Sequence, residues 1–523
     1  MVLILMLIFG LSPFNRTFSK VRSTKKQPAP LLTPRAVHPM GSGGNGHTET
    51  PGEWYIGQPP LNPKPGAPIL LFVQGLNSTA QMWWEDNDMY ETALQHGYQT
   101  AFLQLYDASG TSADMWDNGR LLADKIKDIH RYFGNRPLAI IAHSKGGVDA
   151  QTALVYYGAW PYVTNVITLS TPHHGSQLAD LAYSAWAGWL AKLLGKQGDG
   201  TYSMQTAYME SFRQATDRRQ EAYYNRFDTM GGHDWGRWFS STWFGGLYLS
   251  QYGESDGVVT VSSSRLPYGH EIAIGAWDHF KIRTGITFPY FEPIIAETAN
   301  MPLTVKKYRE KASGESSEVS HWIHGGPLSP GDNPISVTVE DHVKRLRLDV
   351  LTTDQLSAIY WISPDGRQIN AEAASEKTTI GIFKGAIHHG LELNHPEPGT
   401  WTLHVNADQK DAYLLVSHFL SDAHLTFWKN MSVVAHEKEK AKQFTCQFSA
   451  NESSIDLQSL KVTYRIVKEK SATVTEALNA IVKSRSKHDI ILDDPDAIYN
   501  ITADIEGLTQ AGYPFKRTIV ETH

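Results

Sequence analysis

Cysteine is nearly missing from this chain: Cys446 is the only one among 523 residues. That excludes an internal disulfide framework and the small stapled scaffolds that depend on one. Positive charge is short as well. Lysine and arginine number 47 against 54 aspartates and glutamates, a formal net charge of −7. With no basic excess to neutralise phosphates, nucleic acid is not an expected partner. The apolar run Val2–Leu11 is too short to cross a bilayer but has the length of a signal-peptide core. The basic residues that should precede such a core are missing, and no clear small-x-small cleavage site follows. Arg16, Lys20, Arg22, Lys25 and Lys26 all lie after it. Residues 1–23 are therefore read as an atypical signal peptide or short hydrophobic segment, and the protein is expected to be secreted or held at the cell surface.

What is present is enough for two or three domains: 523 residues, 41% hydrophobic, with 15 Trp. Residues 24–52 form a linker rich in Pro, Gly, Ser and Thr, a composition that persists to Gly66. Pro68–Val73 is a continuous apolar run, as expected of a strand buried on both faces. A helix over 78–96, a strand from Thr100, a helix over 115–133 and strands at 137–141 and 163–169 follow. Alternation at this spacing predicts a doubly wound, mostly parallel sheet over 53–300. Between about 177 and 246 the pattern turns helical. Leu178, Leu181, Ala182, Ala185, Trp186, Trp189, Leu190, Leu193 and Leu194 make a wide apolar stripe. The plain structural reading is an ordinary buried face; the functional one is a cap over an apolar substrate cleft. After residue 300 short alternating strands such as Arg345–Val350 and Trp401–Val405, separated by Pro/Gly turns, predict one or two β-sandwich modules. Their expected bounds are 301–424 and an immunoglobulin-like 425–523.

Between the strand at 137–141 and a helical run from Val148 stands Ala142-His143-Ser144-Lys145-Gly146-Gly147. A serine between small residues on a sharp strand-to-helix turn has the pattern of a nucleophile elbow, although such a turn can also serve packing alone. An acyl-transfer site further needs a base, an acid and oxyanion donors. A search downstream for an acid in a loop after a strand gives Asp256, in Ser255-Asp256-Gly257, and His279 follows in Trp277-Asp278-His279-Phe280. Taken singly they read as a turn aspartate and a capping histidine; in the order Ser, Asp, His they support one another. Asp278 adjoins the histidine too closely to orient it, and His143 is expected to pack within the elbow. His270 is a weaker base, while Glu254 and Asp234 are fallback acids. Val73-Gln74-Gly75-Leu76-Asn77 ends the first long strand, so the N–H groups of Leu76 and Lys145 are the expected oxyanion donors.

The hexapeptide resembles the alanine-first box of Bacillus-type lipases. Ser170-Thr171-Pro172-His173-His174-Gly175-Ser176 resembles the loop that opens the cap in bacterial true lipases, and Ser255–Val259 with Asp278-His279 their acid-to-histidine segment. The similarity covers roughly residues 68–290. It implies an α/β-hydrolase fold, with Ser144 as nucleophile, Asp256 as acid, His279 as base, and Leu76 and Lys145 as oxyanion donors. Two departures stand out. Gln74-Gly75 replaces the frequent His-Gly, and Lys281 stands where many such lipases carry a calcium-binding aspartate. No cofactor and no metal are expected: Lys281 would repel calcium, and His173, His174, His233 and Asp234 fit no standard zinc spacing.

The expected activity is serine carboxylic-ester hydrolysis on esters with apolar acyl chains, by a monomer acting on lipid or another ester. A polyester depolymerase, an acyltransferase, and a surface-binding protein on an inactive hydrolase scaffold are the rival readings. The β-modules are candidates for surface or polymer binding.

Overall fold

Alternating apolar runs and helical stretches fold into one mixed 8-stranded sheet. Its strands are β1 Leu31–Leu32, β2 Trp54–Ile56, β3 Ile69–Val73, β4 Thr100–Leu103, β5 Leu138–His143, β6 Val163–Leu169, β7 Arg226–Gly232 and β8 His270–Gly275. The computed structural model describes residues 31–32, 50–109, 112–195, 197–238, 240–298, 316–370, 382–436, 439–450, 454–471, 474–483 and 487–523. The signal segment expected over 1–23 lies outside them.

The spatial order is β1-β2-β4-β3-β5-β6-β7-β8, parallel from β4 to β8 and antiparallel at the β1 and β2 edge. Side chains of β3 alternate between two cores. Ile69, Leu71 and Val73 pack with α2 (Met115–Tyr132) and α3 (Gly146–Tyr156), and Leu70 and Phe72 with α1 (Met89–Gln95) and the helix Phe288–Thr298. The chain leaves β3 toward β4 on one side and returns as β5 on the other. The carboxyl ends of β3 and β5 therefore lie side by side, with Val73 paired to Ala142, at a topological switch point.

Three expectations about this half need correction. The segment 24–52 is not wholly a linker, because Leu31–Leu32 pairs with Tyr55–Ile56 and β2 pairs with β4. Trp54 secures that edge by packing edge-on to Tyr132, at 5.2 Å between ring centroids. The helix at 78–96 is broken into a 3-10 turn, Ala80–Trp83, and α1. Asn87 interrupts it: its amide donates to the carbonyls of Met82 and Arg283, and its oxygen accepts from Met89 N–H. Finally, the helical stretch 177–246 contains the sheet strand β7. The cap helices before β7 are α4 Gln177–Ala182, α5 Gly188–Leu193, α6 Asp199–Ser203 and α7 Thr206–Thr216; α8 Ser241–Leu249 follows it.

The C-terminal half is two β-sandwiches. The first pairs sheets built on β10 His321–Leu328, β12 Val343–Thr352, β15 Ile387–Asn394 and β17 Asp411–Ser421 on one side, and on β11 Gly331–Val339, β13 Ala358–Ile362, β14 Gln368–Asn370 and β16 Gly399–Ala407 on the other. Trp361, Trp401 and Leu403 fill its core. The second encloses Phe427, Phe444, Cys446, Tyr464 and Tyr499, and closes with the strand Pro514–Thr522. Strand β9, Ser316–Glu318, expected in the first module, pairs with Thr426–Trp428 of the second, so chain order and module order cross here.

Most of the apolar stripe of the cap is covered, while Trp189 and Leu193 stay exposed. Leu178, Leu181, Leu190 and Ala191 share one buried cluster with Ile323, Leu351, Leu414, Val416 and Val520 of the modules. In β17, Leu415 and Phe419 face the sandwich core while Ala412, Leu414 and Val416 face the cap. Polar bonds ring this contact. Trp186 Nε1 donates to Asp504 (3.0 Å), Asn500 Nδ2 to the Asp180 carbonyl (2.6 Å), and Tyr252 hydroxyl to the Val520 carbonyl (2.8 Å).

Candidate active site

Ser144 directly follows β5 in a left-handed conformation, φ 54°, which is costly for a non-glycine residue. Its N–H donates to the Leu169 carbonyl at 2.9 Å, and α3 begins two residues later. That is the geometry of a nucleophile elbow. Small neighbours are required by approach, not merely tolerated. A Cβ on Gly75 would stand 2.7 Å from Ser144 Cβ, one on Gly147 2.7 Å from Thr171 Cγ2, and one on Gly146 would meet the Gln74 carbonyl.

Asp256 is fully buried, and its two carboxylate oxygens serve a turn and a histidine ring. Oδ1 accepts from Val258 and Val259 N–H at 2.9 and 2.8 Å, and Oδ2 lies 2.7 Å from His279 Nδ1. The Asp256 carbonyl also accepts from His279 N–H (2.9 Å), so the imidazole is held by side chain and backbone of one residue. The acid does not follow a strand as expected; it lies in a turn after α8, closed by the Ser255–Thr260 bridge. A left-handed Gly257, φ 87°, permits this, because a Cβ there would stand 2.8 Å from Thr242 Cα in α8.

The competing residues have other duties. His143 Nε2 donates to the His279 carbonyl at 2.8 Å, and the two rings pack at 4.5 Å. Burial, then the nearby His279 and Arg283, holds the His143 ring well below the usual histidine range, so it stays neutral. Asp278 Oδ1 caps the following turn, accepting from Phe280 and Lys281 N–H at 2.8 Å each. Asp234 accepts from Gly236 N–H, the Glu254 carbonyl accepts from Val261 N–H, and His270 begins β8.

Ser144, His279, Leu76 and Lys145 line one cleft, walled by Met204, Val258, Val259 and Phe280. Among the described residues, neither the Leu76 nor the Lys145 N–H is given to an acceptor within the protein. Ile382, from the first sandwich, also lines this cleft, a contact with no sequence signal. Equally unforeseen is the Lys145 side chain, wholly buried against Asp149 (2.9 Å) and Asp107 (3.3 Å). The spacing of Lys145 and Asp149, four apart at the start of a helix, was the one available hint. Among the described residues no three His, Cys, Asp or Glu side chains gather as a metal site. His173 is buried, with Nε2 against Thr168 Oγ1 at 3.3 Å.

Comparison with known proteins agrees with this architecture. Residues 106–185 match the PGAP1-like alpha/beta domain family. Triacylglycerol lipase 2 of Saccharomyces cerevisiae is 27% identical over 147 residues, covering 28% of this chain and 45% of that protein. The chain thus spans just under half the length of that curated relative. The crystal structure of Bacillus licheniformis lipase BlEst2 in propeptide form is 34% identical, covers 90% of this chain and 97% of that one, and superposes with a TM-score of 0.73. The same lipase in mature form is 47% identical over 47% of this chain and 99% of that one, with a TM-score of 0.45. An identity of this size sustained over nearly the whole of the propeptide-form chain places the protein: it belongs to the α/β-hydrolase lipase and esterase family that includes BlEst2.

Proposed function

We propose that this chain is a serine carboxylic-ester hydrolase. Ser144 Oγ attacks the ester carbonyl as His279 Nε2 takes its proton, and Asp256 stabilises the imidazolium through Nδ1. The N–H groups of Leu76 and Lys145 receive the oxyanion. The tetrahedral intermediate collapses, His279 protonates the departing alcohol, and the acyl group remains on Ser144. Water, deprotonated by His279, then releases the acid and restores the serine. The observation that carries this reading is the 2.7 Å Asp256–His279 bond on a ring that shares a cleft with a left-handed Ser144. The apolar wall of Met204, Val258, Val259 and Phe280 favours an apolar acyl chain. Ser144→Ala is expected to reduce p-nitrophenyl ester hydrolysis by on the order of 10⁴-fold or more and to abolish fluorophosphonate labelling, with the melting temperature unchanged. Undiminished turnover would refute the assignment.

A second reading concerns the sandwiches. Ile382 stands in the cleft, and the propeptide-form lipase aligns with both halves of this chain. We therefore propose that the C-terminal modules are a propeptide that keeps the site latent. This is favoured over polymer binding because the sheet face presented by β17 is already covered by the cap. Export belongs to the same proposal, and recovery of the protein from culture medium tests it.

A further inference from the structure

Lys145 contributes a backbone N–H to the proposed oxyanion hole, but its side chain points away into the protein. Nζ lies 2.9 and 3.0 Å from the two carboxylate oxygens of Asp149 and 3.3 Å from Asp107 Oδ2. Asn118 of α2 completes the cluster. Its amide donates to Asp107 Oδ2 (2.5 Å) and Asp149 Oδ2 (3.2 Å), while its oxygen accepts from Tyr106 N–H (3.1 Å). The remaining oxygen of Asp107, Oδ1, accepts from the N–H of Asn77 at 3.4 Å. Asn77 is itself left-handed, φ 53°, and directly follows Leu76.

Burying a cation and two carboxylates is a poor way to gain stability; an apolar cluster of equal volume usually does as well. What the charges provide here is fixed geometry between four separate segments: the loop after β3, the stretch after β4, α2 and the elbow. We infer that Lys145 is a positioning residue whose ammonium holds Asp107, which holds Asn77 N–H and so aims the Leu76 N–H at the point reached by Lys145's own N–H. One residue thus supplies one oxyanion donor directly and sets the other through a carboxylate. Preorganised donors act on charge that develops in the transition state, so misaiming one lowers kcat and leaves substrate binding nearly intact.

The inference rests on Ser144 being the nucleophile, and the test separates the two. In the full chain, Asp107→Leu removes the acceptor for Asn77 but leaves Lys145 paired with Asp149; Asp107→Asn keeps an acceptor. Asp107→Leu is expected to lower kcat about 10²-fold with KM within about twofold, and Asp107→Asn, with a single oxygen left to accept from Asn77 or from Lys145, to recover part of that loss. An alkyl boronic acid, whose adduct on Ser144 carries the tetrahedral charge, should bind Asp107→Leu about 10²-fold more weakly. Lys145→Met should behave like Asp107→Leu. If it fails to fold, Lys145→Met/Asp149→Asn preserves the net charge of the cluster and takes its place. Wild-type kcat and boronic acid affinity in Asp107→Leu would overturn the inference. So would equal losses in the Leu and Asn variants that track melting temperature. Failure of fluorophosphonate to label Ser144 in the wild type, both before and after removal of the C-terminal modules, would instead remove the functional reading beneath it.

Discussion

At the residue scale the site is built from close approaches. Gly147 lets the first turn of α3 lie against Thr171, so Gly147→Ala should lower stability by about 1–3 kcal/mol, read as a drop in melting temperature. Thr171→Ala in the same chain should restore part of it. Asp256→Asn keeps the shape of the acid and loses its charge, and kcat is expected to fall about 10⁴-fold with the protein still folded. A third test concerns His418, which stacks on His321 at 4.8 Å. Burial, reinforced by Arg347 and Arg517, lowers its pKa from 6.5 to about 4. The folded protein therefore binds this proton less readily than the unfolded chain. The stability tied to a neutral ring is complete above pH 6.5 and is lost as the pH falls toward 4. Glutamine does not titrate, so urea denaturation should show His418→Gln gaining on the wild type by about 3 kcal/mol between pH 7 and 4. A constant difference across that range would contradict it.

At the scale of elements, the contrast is between strands whose pattern could be read and helices whose partners could not. The continuous run Ile69–Val73 is fully buried because α2 and α3 cover one face, and α1 and Phe288–Thr298 the other. Its position beside β5 brings the Gly75-Leu76 loop to the elbow. The stripe from Leu178 to Leu194 was equally legible as apolar, but periodicity does not say what an apolar face meets. Its partner, β17, carries a signal in Tyr413-Leu414-Leu415-Val416, an unbroken apolar run where a sandwich strand open on one side would alternate. Leu414→Asp places a charge against the cap while sparing Leu415 and Phe419. It is expected to weaken docking of the first sandwich, measured as greater quenching of tryptophan fluorescence by acrylamide.

At the scale of the whole molecule, cap and modules form a shared core. Gln205 and Thr206 at the start of α7 bond Glu469 and Thr522, which fixes the end of the chain against the cap. If the modules hold the site latent, releasing this contact must raise activity. Purified full-length chain should hydrolyse p-nitrophenyl esters slowly, and cleavage between residues 298 and 316 followed by removal of the modules should raise the rate. Leu414→Asp should raise it without cleavage. Equal rates before and after removal would leave the sandwiches as spacers.

The sequence by itself determined the parallel sheet, the elbow and the order of Ser144, Asp256 and His279. Each is local chemistry: apolar runs of strand length, small residues beside a serine, an acid in a turn. Only the tertiary structure decided what those parts face. It brought Asp107 from another segment to Lys145, set β17 on the cap and put Ile382 into the cleft. Such contacts depend on which surfaces are left uncovered once every element is packed, and no spacing along the chain records that.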